Sequence, residues 1–451
     1  MHAADVVVIG AGPAGCVMSR RLAESGLDVI LLEAGSERAP TRAGVLDIGP
    51  GSQVITRHRA VLGSATIGRT EMELPRGRTL GGSGAVNGGY CTPARPSDLV
   101  EWGPDWPRRY AVGLARAAER LRPRLVPAGP VAARVAEAFP GRVSAIAQAR
   151  RDGRRVTAFD AWDPAGAGVR VVTGATVREL RWAGGRTSRR CDGVVLDDDE
   201  EISARETILC AGSIGTAAVL LNSGIGPDSG HPVGRSTQEH PEVLLDLPPD
   251  WARPASDPHT AFAPNTASAS HIAAPPLLSH VVRLALPGPT GVVEIEVRPY
   301  SVPMHRVIPG LAPQPHRIGV ALMNPVGRGE VGRGEVGGGN FRDGGPRVVL
   351  ADDPRDTAAL DRAAGLVADR LGISGGAGGL RPVPVPSTSQ HLSGSARIGA
   401  VVDDSGRVLG CEGLRVADAS VFPALPRCGP YYSVLAVAED LAARVISGRS
   451  W

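Results

Sequence analysis

The sequence predicts an α/β fold, α+β overall, with a second, sheet-based domain. Three observations carry that reading. Met1–Gly35 runs strand, glycine turn, helix, strand, acid in that order. Ile208–Ser213 repeats the opening logic, a strand running into a small-residue turn. Residues 241–300, rich in Pro, Ala and His, carry a weak period-two pattern that suits sheet strands.

Asp5–Ile9 is a β-branched apolar run, as expected for a strand buried on both faces. Gly10-Ala11-Gly12-Pro13-Ala14-Gly15 follows as G-x-G-x-x-G. The next stretch puts Ala14, Val17, Met18 and Leu22 on one helical face and stops at Gly26. Asp28–Leu32 is the second strand, with Glu33 at its carboxyl end. Such glycines permit a tight turn and close approach of backbone N–H groups to a pyrophosphate at the helix N-terminus. Glu33 would accept a hydrogen bond from a ribose 2′-hydroxyl and repel a 2′-phosphate. The lone glycine motif is weak evidence in a chain with 59 glycines, but the full ordered unit is strong. It predicts a Rossmann-like dinucleotide site.

Composition narrows the function classes. The 451 residues suggest two or three folding units, and 42% hydrophobic content supports a large core. The formal charge is +3, without a block of like charge that would suit nucleic acid. All 49 basic residues are Arg, which fits the mutational bias of a GC-rich genome and carries no mechanism. Cys16, Cys91, Cys191, Cys210, Cys411 and Cys428 lack C-x-x-C spacing, arguing against a zinc site and a disulfide framework. No metal is expected. Neither a secretory apolar region nor a membrane-length run is evident, so a cytoplasmic protein is expected.

Residues 36–76 read as irregular and polar, a cover for the cofactor. Arg78-Thr79-Leu80-Gly81-Gly82-Ser83-Gly84-Ala85-Val86-Asn87 then forms a glycine-rich loop, either a flexible linker or a backbone surface laid against a flat ligand. Residues 109–139 carry helical patterns broken at Pro123 and Pro127. A meander follows: Val169–Thr173, Thr176–Trp182, Gly193–Leu196, an acidic turn Asp197–Glu201, and Ile202–Cys210. The acidic run reads as a solvated turn, because consecutive carboxylates in a strand alternate in direction. A helix then passes Val219–Leu221 and ends at Asn222. Val326–Glu330 and Val331–Glu335 are tandem VGRGE copies, read as a slipped duplication in a surface turn. Arg347–Leu350 suits a strand and Pro354–Leu371 a helix. His391 sits in a small-residue turn, Leu414–Ala417 is a strand ending at Asp418-Ala419, and Gly429-Pro430 opens the last helix. Proline suits a first helical turn, and the positive end of that helix is free to face a ligand.

Together these pieces resemble the glucose–methanol–choline (GMC) family of FAD-dependent oxidoreductases. The resemblance is carried by Arg78-Thr79-Leu80-Gly81-Gly82-Ser83…Asn87, by Gly212–Thr216 with Ser223–Gly226, and by Val233-Gly234…Glu239-His240-Pro241. It continues through His391-Leu392-Ser393-Gly394-Ser395 and Leu414–Pro423. It implies a discontinuous FAD-binding domain (residues 1–100, 165–242 and 385–451) and a substrate domain formed by insertions (101–164 and 243–384). By position it implies FAD contacts at Gly10, Ala11, Gly12, Ala14, Gly15, Glu33, Ala34, Arg78, Leu80, Gly81, Gly82, Ser83, Asn87, Val177, Ala211, Gly212, Asp418, Ala419, Gly429 and Pro430. Non-covalent FAD is expected, because Val86 stands where some relatives attach the flavin through a His.

His391 occupies the family's catalytic position, although by itself a turn histidine that caps the backbone is the commoner finding. Its expected role is to take a hydroxyl proton while hydride passes to flavin N5. Relatives carry a second His or Asn where this chain has Gly429. Tyr431 and Tyr432 are the nearest substitutes in sequence, while His240 reads as structural. Val86–Tyr90 and Arg427–Pro430 look most like the branch associated with the peptide-derived redox cofactor mycofactocin. That branch implies a bulky quinol-like donor, a respiratory electron acceptor, and a location in the cytoplasm or against the inner membrane face. An ordinary alcohol or choline-type dehydrogenase or oxidase, and a non-catalytic electron-relay module, are the alternatives.

Overall fold

The computed structural model describes residues 2–35, 45–64, 68–185, 189–252, 277–288, 291–334, 345–350, 353–373 and 385–448. Its main sheet has the order Arg170–Thr173, Val29–Glu33, His2–Ile9, Glu201–Leu209, Cys191–Leu196, Val177–Trp182. Leu414–Val416 pairs in parallel with the far half of Glu201–Leu209. Val6, Val7 and Val8 are wholly buried, as a continuous apolar run in a two-sided sheet requires. Helix Pro13–Glu24 buries Ala14, Val17, Met18 and Leu22, the face read from the sequence.

Three readings need correction. Arg170–Thr173 is not the first strand of a meander; it lies parallel beside Val29–Glu33 at the sheet edge. The backbone ties it there, with Gly174 N donating to Gly35 O (3.0 Å) and Ala175 N to Glu33 O (2.9 Å). The later strands are antiparallel as expected. Residues 36–76 are not irregular throughout: Ile55–Ser64 and Gly68–Gly77 form an antiparallel hairpin. Ala60 and Leu74 are buried in it, while an Arg57–Glu73 pair spans its outer side. The polar count therefore hid a half-buried ladder; residues 36–44 and 65–67 lie outside the described residues. Finally, the VGRGE junction is no surface turn. Gly329–Gly332 is a strand and Val331 is buried; Glu335 lies outside the described residues.

The second sheet is antiparallel throughout, in the order Val385–Thr388, Pro241–Asp246, Arg317–Leu322, Gly291–Pro299, His280–Gly288, Val143–Ala145. Helix Pro354–Arg370 packs Leu360, Ala363 and Val367 against Val297, Ile318 and Val320 beneath it. Within the expected strands of 241–300, residues 253–276 and 289–290 lie outside the described residues. A third sheet joins the hairpin to Arg347–Leu350, Gly329–Gly332 and Arg235–Thr237. It thus links segments expected in different domains.

The last helix, Pro430–Ser447, is buried along most of its length. Helix Trp106–Leu121 crosses it with no room to spare: a Cβ at Gly113 would lie 2.0 Å from Ala436 O. Although residues 101–164 were expected in the second domain, this helix packs against the last helix of the nucleotide-binding part. Trp102 Nε1 and Trp162 Nε1 add hydrogen bonds to Ala424 O and Glu439 Oε1, each 2.8 Å. Gly113→Ala forces these two helices apart and should cost about 1–3 kcal/mol by overpacking. Denaturant unfolding of the FAD-loaded protein measures this; an unchanged midpoint would contradict the packing described.

Candidate active site

The opening turn and the glycine-rich loop meet directly. Gly10 has φ +96, and a Cβ there would lie 2.7 Å from Cys210 O. Gly82 has φ +51, and its Cβ would fall 2.6 Å from Gly12 Cα. Side chains would thus close the space between these turns. Gly81 N donates to Ala11 O (2.8 Å), Ala11 N to Glu33 Oε2 (2.9 Å) and Gly35 N to Glu33 Oε1 (2.9 Å). Arg78 reaches Ala34 O and Thr176 from an exposed position. Ser83 Oγ accepts from Gly77 N, and Asn87 Oδ1 accepts from Gly89 N and Arg155 Nη1. Helix Pro13–Glu24 has no side-chain cap, and neither has the last helix at Gly429. Both positive ends can therefore serve an anionic ligand. Burial raises the Glu33 carboxyl to about 7, against the pull of its two amide donors.

Across the site, one carboxylate gathers two histidines. Glu239 Oε1 accepts from His240 N (2.9 Å) and from His391 N (2.7 Å). The imidazoles stand edge to face, with Nδ1 to Nδ1 at 2.9 Å. Gln390, just before His391, has φ +65, and its Oε1 accepts from Arg76 Nη1 at 2.6 Å. His391 Nε2 points toward Gly429, where a Cβ would stand 3.4 Å away. Burial, then His240, Arg298 and Arg76, hold His391 well below the ordinary histidine range. Burial and Arg298 do the same to His240, with the Met323 carbonyl acting in the opposite sense. Arg298 is itself balanced by Glu242 (3.0 Å) and Glu296 (3.0 Å). The arrangement keeps a neutral imidazole with Nε2 toward a residue that has no side chain, which suits a general base.

The comparisons bear on the whole chain. A family model described as GMC oxidoreductase matches residues 4–122 and 126–242, and a second of the same description matches 343–438. The chain belongs to the GMC oxidoreductase family. Its relatives include an uncharacterized GMC-type oxidoreductase from the thcA 5′ region of Rhodococcus erythropolis, 31% identical over 98% of each chain. A 5-(hydroxymethyl)furfural oxidase of Methylovorus is 28% identical, also over 98% of each. Among solved structures, pyridoxine 4-oxidase from Mesorbium loti superposes with a TM-score of 0.75 at 23% identity, covering 99% of this chain and 100% of that one. Aspergillus oryzae formate oxidase gives 0.73 at 19%, covering 99% of each. This is the GMC fold with an FAD-binding N-terminal domain, and GMC oxidoreductases are FAD-binding flavoproteins.

The residues expected to meet FAD in this GMC chain fall into two groups. Gly10, Ala11, Gly12, Ala14, Gly15, Glu33, Ala34, Arg78, Leu80, Gly81, Gly82 and Ser83 gather at the two joined turns. Val177 begins the strand next to the Ala175–Glu33 tie, and Ala211 lies beside Gly10. Gly429 and Pro430 instead sit with His391. Asp418 is occupied by its own chain: it accepts from Gly212 N (2.8 Å), Thr216 Oγ1 (2.6 Å) and Ser420 N (2.8 Å). Ala419 O accepts from Gly394 N, which binds the Asp418 turn to the His391 turn.

Two expectations about the chemistry change. His240 does not stand apart; its ring is fully buried against His391. Tyr431, offered as a substitute for the missing second His, packs on Gly84 and Pro13 beside the opening helix. Sequence reasoning also passed over Glu239, Arg76 and Gln390. The signal was present in the adjacent acid and histidine of Glu239-His240-Pro241, but only the fold brings that segment to His391.

Glu239 supplies a pH test. Burial raises its carboxyl to about 7, against the pull of the His391 and His240 amides and Arg76. A folded-state pKa above the unfolded value of about 4.3 means stability from this group is complete at low pH and lost as pH rises toward 7. Gln at 239 keeps the Oε1 acceptor and cannot ionise. Glu239→Gln should therefore gain Tm relative to wild type between about pH 5 and about pH 8. A difference independent of pH would contradict the buried acid.

Proposed function

We propose that this GMC flavoprotein oxidises a hydroxyl-bearing donor, with His391 Nε2 taking the hydroxyl proton. The observation that carries the reading is that nitrogen, on a half-buried neutral imidazole, facing a position with no side chain at Gly429. FAD, when bound, supplies the hydride acceptor. The joined glycine turns and the uncapped opening helix would hold its pyrophosphate, and Glu33 its ribose. The positive end of the last helix would favour negative charge on the flavin ring. Val86, unable to form the bond that a histidine can, supports non-covalent attachment.

Gly429 leaves space where another member of the family would place a second polar group. His391 therefore acts on the donor oxygen without a side chain at 429, which suits a donor whose O–H is already acidic. A quinol-like carrier such as reduced mycofactocin fits that requirement, and its electrons would pass on to a respiratory acceptor. A second reading, oxidation of a primary alcohol, is favoured by the 5-(hydroxymethyl)furfural oxidase among the relatives.

Anaerobic stopped flow with 5-(hydroxymethyl)furfural, choline, a hydroquinone and reduced mycofactocin separates these readings. Bleaching by the quinol-like donors alone supports the first, and bleaching by the furfuryl alcohol supports the second. With whichever donor reacts, His391→Ala should slow flavin reduction by about 10²–10⁴-fold, the usual worth of a positioned base. The absorbance of bound FAD should be unchanged. Reduction at the wild-type rate would overturn the assignment.

A further inference from the structure

We propose that Arg155 is a buried cation whose counter-charge is the negative charge of bound FAD, reached through Asn87. This rests on the reading of the glycine loop at residues 81–89 as a surface laid against the cofactor. Four arginines are buried among the described residues, and three of them sit on carboxylates. Arg109 pairs with Asp440 (2.6 Å) and Asp404 (3.4 Å), Arg298 with Glu242 and Glu296 (3.0 Å each), and Arg415 with Glu206 (2.6 Å).

Arg155 is only 5% exposed, yet it meets no acid among the described residues. Nη1 donates to Asn87 Oδ1 (3.0 Å), Nη2 donates to Val45 O (3.1 Å), and Nε has no hydrogen-bond partner. Burial lowers the guanidinium only to about 10, so it stays charged at neutral pH. Tyr431, Tyr90 and Arg150 face it electrostatically, two phenols and a like charge. A buried cation without a counter-charge is costly, so a protein that keeps one gains from an anion that compensates it.

The place of Arg155 identifies that anion. Its segment runs beside the glycine loop: a Cβ at Gly89 would stand 3.5 Å from Arg155 Nη1, and one at Gly81 would stand 3.1 Å from Thr157 Cβ. Asn87 Oδ1 accepts from Gly89 N (2.8 Å) as well as from Arg155, so the loop and the guanidinium share one amide. With Oδ1 taken by two donors, Nδ2 is the polar group that Asn87 can turn to a ligand, and the neighbouring charge polarises it. Tyr431 packs on Gly84 and Pro13, and its buried hydroxyl, like that of Tyr90, has no partner. The surroundings of the loop thus supply a cation and two hydroxyls without a carboxylate. FAD answers that with a diphosphate that is always charged and a ring that gains negative charge on reduction.

The test uses the FAD-loaded protein and two readouts that need no substrate. One is the rate at which FAD leaves the oxidised protein on dilution, followed by flavin fluorescence. The other is the midpoint potential, measured against a dye of known potential. Arg155→Met keeps the stem without the charge, and Arg155→Lys keeps the charge without the fork. Arg155→Met should release FAD about tenfold faster or more, shift the potential downward, or both. Arg155→Lys should stay near wild type. Faster release alone identifies the diphosphate as the counter-charge, and a lower potential alone identifies the ring. Asn87→Asp keeps both hydrogen bonds at Oδ1 while giving Arg155 its own acid, and should act as Arg155→Met does even if that variant folds poorly. Wild-type release and potential in Arg155→Met or in Asn87→Asp overturn the proposal, and so does an Arg155→Lys that behaves as Arg155→Met. FAD held at wild-type strength by Gly82→Ala would instead overturn the reading of the loop, and the Arg155 variants alone would then decide whether its charge faces FAD.

Discussion

Glu239 Oε1 accepts the backbone amides of both His240 and His391, residues that come from segments far apart in the chain. That shared acceptor fixes the two turns side by side and so forces their imidazoles together. Each such hydrogen bond contributes roughly 0.5–1.5 kcal/mol, and leaving either buried amide unpaired would cost more. Arg76 strengthens the arrangement from the hairpin by holding Gln390, whose positive φ is what swings His391 out of line with the preceding strand. The pieces of the site therefore come from two sheets, and the loss of any one loosens the others.

Burial and charge act in the same direction on the two histidines. Burial penalises an imidazolium, and Arg76 and Arg298 repel one. Arg298 remains charged because Glu242 and Glu296 compensate it, so its field on the histidines is permanent. His391 is consequently neutral at ordinary pH. Two helix N-termini, one at the glycine turn and one at Gly429 beside His391, lack side-chain caps and offer partial positive charge to an anion.

Much of this was legible in the sequence because it is local. The opening strand, glycine turn, helix and Glu33 are contiguous, and each follows from backbone permissiveness and apolar periodicity. The last helix announced itself through Gly429-Pro430 and its apolar face. The hairpin at Ile55–Gly77 was hidden because its half-buried strands carry charged residues such as Arg57, Arg59 and Glu73 that dominate the composition. Arg170–Thr173 was read as an antiparallel meander because periodicity does not reveal a strand's partner. The His240–His391 contact was illegible for the same reason: both residues were noticed, yet nothing in either segment specifies that the rings meet. Tyr431, near Gly429 in sequence, packs beside Gly84, which closeness in sequence does not reveal.

We propose that the Glu239-anchored histidine pair and the glycine cradle together enclose the flavin. A crystal structure of the FAD-loaded protein tests this most directly. The pyrophosphate should lie at the Gly10–Gly15 turn, with the flavin ring beside His391 Nε2 and Gly429. A flavin ring separated from His391 by packed protein would contradict it.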